Sequence, residues 1–264
     1  MRILFIGDVV GRPGRRAVAA VLPGLRQTRE LDLVIANGEN SAHGAGLTAA
    51  TVAELQAAGV DVVTAGDHVW DQKEFETQIA TLDRVIRPLN YPDGAPGRGS
   101  VTVCARDETL VAVINALGRV YMHPHVDCPF RGLEAEVTRL RQLTPIIVVD
   151  FHAEATSEKI ALARFLDGRV TAVLGTHTHV PTADERILPG GTAFISDVGM
   201  TGPYDSVLGR EANAVIRRFT TQMPQKMEVA TGDVRFCAVL IELDAASGRA
   251  QNIERIQLPV PDAS

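Results

Sequence analysis

The sequence predicts an α/β fold of two mixed sheets flanked by helices. Three observations carry this. Short apolar runs alternate with helix-like segments through the first two-thirds of the chain. The pattern becomes strand-rich after Gly190-Gly191. And 264 residues with 45% hydrophobic content can bury a large core, read here as one domain over 1–264.

Residues 3–6, 31–36, 60–64, 145–149 and 170–174 are continuous apolar runs, as strands in sheets covered on both faces require. Helices are expected between them at 13–27, with Pro13 in the first turn, 48–57 ending at Gly59, 70–80, 132–143, and 157–166 before Gly168. The stretch 88–99 is rich in Pro and Gly and reads as a long loop. A hairpin follows, 100–106 and 109–115 around Asp107-Glu108. Later strands are expected at 193–196, 226–230, 234–243 and 250–258, the last beyond a turn at 244–248. No repeat or low-complexity tract divides the chain. The lone Trp70 is assigned to the core.

A net charge of −6 argues against an extended nucleic-acid surface. The dense basic cluster Arg12/Arg15/Arg16 is local, and Arg12 is suited to meeting a single phosphate. Cys104, Cys128 and Cys237 form no Cys-x-x-Cys and are read as three buried free thiols in a reducing compartment. The opening residues resemble a first strand rather than a signal peptide, and no run approaches the ~18 apolar residues of a membrane helix. A soluble, cytoplasmic protein without membrane contact is the expectation.

Chemistry concentrates where strands end. The five ends read Gly7-Asp8, Asn37-Gly38-Glu39-Asn40, Gly66-Asp67-His68, Asp150-Phe151-His152 and Gly175-Thr176-His177-Thr178-His179. Ligands of open α/β sheets bind beyond such ends. Each residue alone has an ordinary explanation: Asp8 as a turn or cap, Glu39 and Asn40 as a polar loop, His68 and His152 as hydrogen-bonded histidines. Together they offer about eight ligand-capable groups, more than one metal uses. Carboxylate oxygen with imidazole nitrogen suits zinc, iron or manganese. Two ions ~3.5–4 Å apart would clamp a displacement at phosphorus. His43 is read as an exposed loop histidine, and His123 and His125 as loop residues bordering the cleft. The loop from Gly7 to Gly14 lacks the spacing of a nucleotide-binding glycine motif.

The order Asp8, Gly38-Glu39-Asn40, Gly66-Asp67-His68, His152 and His177-Thr178-His179 resembles the calcineurin-like metallophosphoesterases, and more closely their YmdB-like branch. The resemblance spans nearly the whole chain, including the segment from Gly199 to Ser206. It implies a four-layer α/β/β/α sandwich with a dinuclear centre. Asp8, Asn40 and His179 would hold a first metal, Asp67, His152 and His177 a second, and Glu39 would bridge them. His68 would be the proton donor. Iron is the usual metal of the branch, and 2′,3′-cyclic nucleotides the associated substrate. Two departures stand out. Val10 occupies the histidine position of the superfamily's Asp-x-His, with Asn40 in that ligand's place, and Asp67 replaces the usual Asn.

The expectation is therefore metal-assisted phosphodiester hydrolysis, a 2′,3′-cyclic nucleotide opening to a 3′-nucleotide as His68 protonates the departing ribose oxygen. A phosphomonoesterase or nucleotidase could use the same centre. So could a regulatory or scaffold protein with little turnover. The 88–99 loop and the segment 200–208 are left for partner contacts or homo-oligomerisation.

Overall fold

Each strand of the first βα units is apolar on both faces, so it needs a covering layer on each side, and the chain provides both. In the computed structural model, which describes residues 1–260, Arg2–Ile6 (β1) continues into Asp8–Val9 (β2) and helix Gly11–Thr28 (α1). Leu33–Asn37 (β3), Ala49–Ala57 (α2), Val62–Thr64 (β4) and the short helix Phe75–Gln78 (α3) follow. Ser100–Cys104 (β5) and Leu110–Leu117 (β6) form the expected hairpin. Then come Pro129–Leu140 (α4), Ile147–His152 (β7), Thr156–Leu166 (α5) and Ala172–Thr176 (β8). The remainder holds Arg186–Ile187 (β9), Ala193–Ile195 (β10), Met200–Pro203 (β11), Ala212–Thr221 (α6), Val234–Leu243 (β12) and Ala250–Pro259 (β13).

One sheet has the order β2-β11-β12-β1-β3-β4 with β13 also on β12; the other runs β5-β6-β7-β8-β10-β9. Both are mixed: β1-β3-β4 and β6-β7-β8-β10 are parallel, while β12 and the hairpin strand β5 pair antiparallel. Side-chain alternation separates three apolar layers. Ile3, Phe5, Leu33 and Ile35 face Val111, Val113, Val148 and Leu174 between the sheets. On the other face of the first sheet, Leu4, Ile6, Val34 and Ala36 pack under Val18 and Leu22 of α1 and Val52 and Leu55 of α2. Ile114, Ile147, Val149 and Val173 pack under Leu133 and Val137 of α4 and Leu162 and Leu166 of α5. The result is the four-layer α/β/β/α sandwich.

Three expectations fail for identifiable reasons. The helix at 70–80 shrinks to α3 and a 3-10 turn at Ile79–Thr81. Asp71 and Gln72 instead turn their side chains to the His68 ring and the Ala45 carbonyl, tying this stretch to its neighbours. The strand at 226–230 does not form. Glu228 and Ala230 bond the 209–211 loop, leaving a single bridge between Arg210 and Val229. Of the cysteines only Cys237 is buried: Cys104 lies on the outward face of β5 and Cys128 is half-buried before α4. Trp70 is partly buried and packs edge-on to Tyr91 against the core. Among the described residues no helix is long and apolar enough to cross a membrane.

Candidate metal centre

The parallel strands deliver their last residues to one end of the sandwich. Asp8 follows β1, Glu39 and Asn40 follow β3, Asp67 and His68 follow β4, His152 ends β7, and His177 and His179 follow β8. Crowding there needs bare backbone. A Cβ at Gly66 would collide with Glu39 Oε2 and the His152 ring, so only glycine lets these two groups meet beside it.

Four groups converge: ligand atoms of Glu39, Asp67, His152 and His177 all lie within 4.8 Å of one another. His152 Nε2 is 3.0 Å from Glu39 Oε1, 3.0 Å from Asp67 Oδ1 and 3.0 Å from His177 Nδ1. His177 Nδ1 is 3.3 Å from Asp67 Oδ1. Beside this group, His179 Nε2 lies 3.2 Å from Asn40 Oδ1 and 3.9 Å from Asp8 Oδ1. Asp8 is fully buried, and among the described residues its Oδ1 has no hydrogen-bond partner.

The outer nitrogens of the three histidines reveal the orientation of the inner ones. The Thr176 hydroxyl donates to Asp150 Oδ1 at 2.7 Å, so at 2.9 Å it accepts from His152 Nδ1. His177 Nε2 faces Glu154 Oε2 at 3.3 Å, and His179 Nδ1 faces the Leu208 carbonyl at 3.2 Å. With each outer N–H committed, the inner nitrogen of each imidazole is left to hold either a proton or a metal ion. Asn40 donates its Nδ2 to the Gly44 carbonyl, which turns its Oδ1 inward as well. Without such a cation, acceptors would face acceptors across short gaps, and one buried carboxylate oxygen, Asp8 Oδ1, is unpaired among the described residues. Such an array repels itself unless a cation lies within it, and histidines anchored through the outer nitrogen are how proteins present metal ligands. The residues fit a metal centre.

Electrostatics point the same way. Burial disfavours a charged His152, but Glu39, Asp67 and Asp8 hold its proton affinity well above the ordinary value. Burial likewise works against ionised Asp67, yet hydrogen bonds and charge from His152 and His177 keep its carboxyl well below the usual range. The carboxylates that would retain a proton on an inner nitrogen also attract a metal ion to that lone pair. Beneath them, Asp150 is wholly buried and pushed up to about 7 by that burial. It holds Thr64, Thr176 and Asn37 rather than entering the centre.

His68 stands apart as half-exposed. Its Nδ1 lies 2.9 Å from Asp71 Oδ2, and its Nε2 is 4.0 Å from Asp67 Oδ2. Burial lowers its proton affinity, but Glu39, Asp67 and the Asp71 contact outweigh burial and raise it. It lies next to the cluster and is not part of it.

The model of the YmdB-like protein family matches residues 4–256. The chain belongs to the YmdB-like family. It is 48% identical over 256 residues to a Bacillus subtilis protein named 2′,3′-cyclic-nucleotide 2′-phosphodiesterase, covering 97% of this chain and 96% of that one. Two solved structures share the YmdB-like fold at a TM-score of 0.92 each. One, a hypothetical protein from Thermus thermophilus, is 45% identical with 99% and 100% of the two chains covered. The other, titled a phosphatase from Mycoplasma pneumoniae, is 35% identical with 98% and 93% covered.

Within this YmdB-like site, all eight residues singled out from sequence lie at strand ends of the same edge. His43, His123 and His125 are exposed. Arg12 lines a groove of about 1060 Å³ between α1 and the 226–234 segment, which none of the eight borders. This groove is not where the titratable groups converge. Sequence reasoning misses the groups that orient the histidines and His68: Thr176, Glu154 and Asp71. Only Thr176, inside the β8 motif, carries a local signal.

Proposed function

We propose that this chain is a dinuclear-metal phosphodiesterase that opens 2′,3′-cyclic nucleotides to 3′-nucleotides. The observation that carries it is the inward convergence of ligand atoms from Glu39, Asp67, His152 and His177, with His179, Asn40 and the unpaired Asp8 Oδ1 beside them. In this reading Asp8, Asn40 and His179 hold one ion, Asp67, His152 and His177 the other, and Glu39 serves both. Three imidazole nitrogens among oxygen donors suit iron, with manganese or zinc as substitutes. Bound ions supply Lewis acidity toward the phosphate oxygens and lower the pKa of a water nucleophile. The protein's part is to fix the donors and to place a proton. His68, partly exposed at the rim and with its proton affinity raised by the surrounding carboxylates, delivers it from Nε2 to the departing 2′-oxygen, while Asp71 holds Nδ1. The Bacillus relative's name supports the substrate class.

Metal analysis of anaerobically purified protein, with a panel of 2′,3′-cyclic nucleotides, tests this. The expected result is two ions per chain and 3′-nucleotide product. Protein loaded with iron or manganese that leaves every phosphodiester intact would sink the reading. The Mycoplasma pneumoniae relative, described as a phosphatase, favours a second, phosphomonoesterase reading. Faster hydrolysis of p-nitrophenyl phosphate than of its bis-ester would support that one instead.

A further inference from the structure

We propose that the buried Lys159–Asp197 pair is a positioning device that fixes the spread of His177 and His179. The inference deepens the metal-centre reading and rests on it for its functional consequence. The backbone of both histidines is in the left-handed region, at φ 101° for His177 and 65° for His179. Non-glycine residues keep that conformation only where the surroundings impose it. Between them, Thr178 is held by a single carboxylate. Asp197 Oδ2 accepts from the Thr178 backbone N–H at 3.0 Å, from its hydroxyl at 2.8 Å, and from Lys159 Nζ at 2.9 Å. Asp197 Oδ1 accepts from Gly199 N at 2.8 Å.

All four neighbours of this carboxylate are donors. Asparagine, though the same shape, would turn an NH₂ against one of them, so only a carboxylate satisfies the site. Lys159 comes from α5 in the outer helical layer and is 2% exposed; Asp197 follows β10 and is 1% exposed. Gly175 permits the arrangement. A Cβ there would collide with the Ser196 carbonyl and press on the Lys159 stem at 3.0 Å. Buried ion pairs contribute little to net stability compared with apolar packing of the same volume. Here the pair aims both donor groups of one residue, and that residue lies between the two histidines. Moving Thr178 therefore disturbs both sides of the centre at once. This distinguishes the pair from either histidine, whose loss removes a ligand from one side.

Two variants and two readouts test the device. In metal-free protein, amide hydrogen exchange at Thr178 should quicken at least tenfold in Asp197→Asn, and less in Thr178→Val, while β6, β7 and β8 exchange as in the native protein. Titrated with Mn²⁺, Asp197→Asn should weaken both binding steps together, by about 10–100-fold as for other groups that support metal ligands. Thr178→Val, which keeps the backbone bond and the shape, should weaken both steps several-fold and decides the matter if Asp197→Asn does not fold. His177→Ala and His179→Ala should each weaken chiefly one step. The proposal is overturned if the folded variants stay within twofold of the native protein in Thr178 exchange and in both affinities. It is equally overturned if exchange rises throughout the sheets, which marks a merely structural pair. Native protein that takes up no Mn²⁺ ends the phosphodiesterase reading, and the exchange comparison then decides the positioning role alone.

Discussion

The two sides of the centre are built from different chemistry. On the His152 side, two carboxylates, Glu39 and Asp67, meet two imidazoles with every donor within 4.8 Å. On the Asp8 side, one carboxylate meets a neutral amide and one imidazole, with Asp8 Oδ1 3.9 Å from His179 Nε2. In the proposed arrangement Glu39 serves both ions, so each side has one carboxylate of its own, and the difference is a second imidazole where the Asp8 side has the Asn40 amide. Imidazole nitrogen is the better donor to iron, manganese or zinc. If the centre is dinuclear as proposed, the His152 side binds its ion more tightly, and stepwise chelation removes the Asp8-side ion first.

The strongest way to break this asymmetry is His152→Ala. It removes the nitrogen around which the other three donors gather. The tight site should be lost, and turnover should fall about a thousand-fold or more, since metal catalysis supplies several kcal/mol of transition-state stabilisation. Retained tight binding of one ion would show that the two sides are not distinguished by this cluster. Next in size is His68→Ala, which separates holding metal from moving a proton. Both ions should remain while turnover falls about 10²–10⁴-fold, the usual contribution of a general acid. Loss of an ion would make His68 a ligand.

The same contrast marks how far the amino-acid sequence reveals the centre. Continuous apolar runs mark β1, β3, β4, β7 and β8 because strands buried on both faces leave little choice of residue, and their polar ends then stand out. The strands β2 and β9 hold two residues each, and β11 four, too few to establish any period. The 70–80 segment carries helix-compatible residues whose side chains bond His68 and Ala45 instead. Which residues gather at the centre is legible from strand ends; how they are aimed is not. Glu154 reaches His177 by a turn of the chain, Asp71 reaches His68 across three residues, and the Leu208 carbonyl has no sequence signature at all. Asp197 is within reach of the same reasoning, being the first carboxylate beyond β10.

Asp67→Asn sharpens the comparison at moderate cost. It restores the residue usual in the wider superfamily and gives the His152 side one carboxylate fewer. Affinity for the tighter ion should fall about tenfold, a change of ~1.4 kcal/mol, and the two chelation steps should merge. With less negative charge competing for the ions, turnover per fully loaded centre should rise a few-fold. Unchanged, well-separated steps would mean that the Asp67 charge does not contribute to the tighter site.

The smallest expected effect concerns the proton rather than the metals. The Asp71 carboxylate bonds the His68 ring at 2.9 Å and is one of three carboxylates that raise this histidine's proton affinity. An acid catalyst works in its protonated form, so activity declines as pH rises through its pKa. Asp71→Asn withdraws a negative charge from beside the imidazolium and leaves only a neutral, weaker acceptor, which lowers that pKa. The alkaline limb of the profile should therefore move to lower pH, with both ions retained and the acid limb in place. Comparing kcat against pH for the two proteins checks it. A limb that stays fixed would mean that His68 does not carry the proton, and that the Asp71 contact only orients its ring.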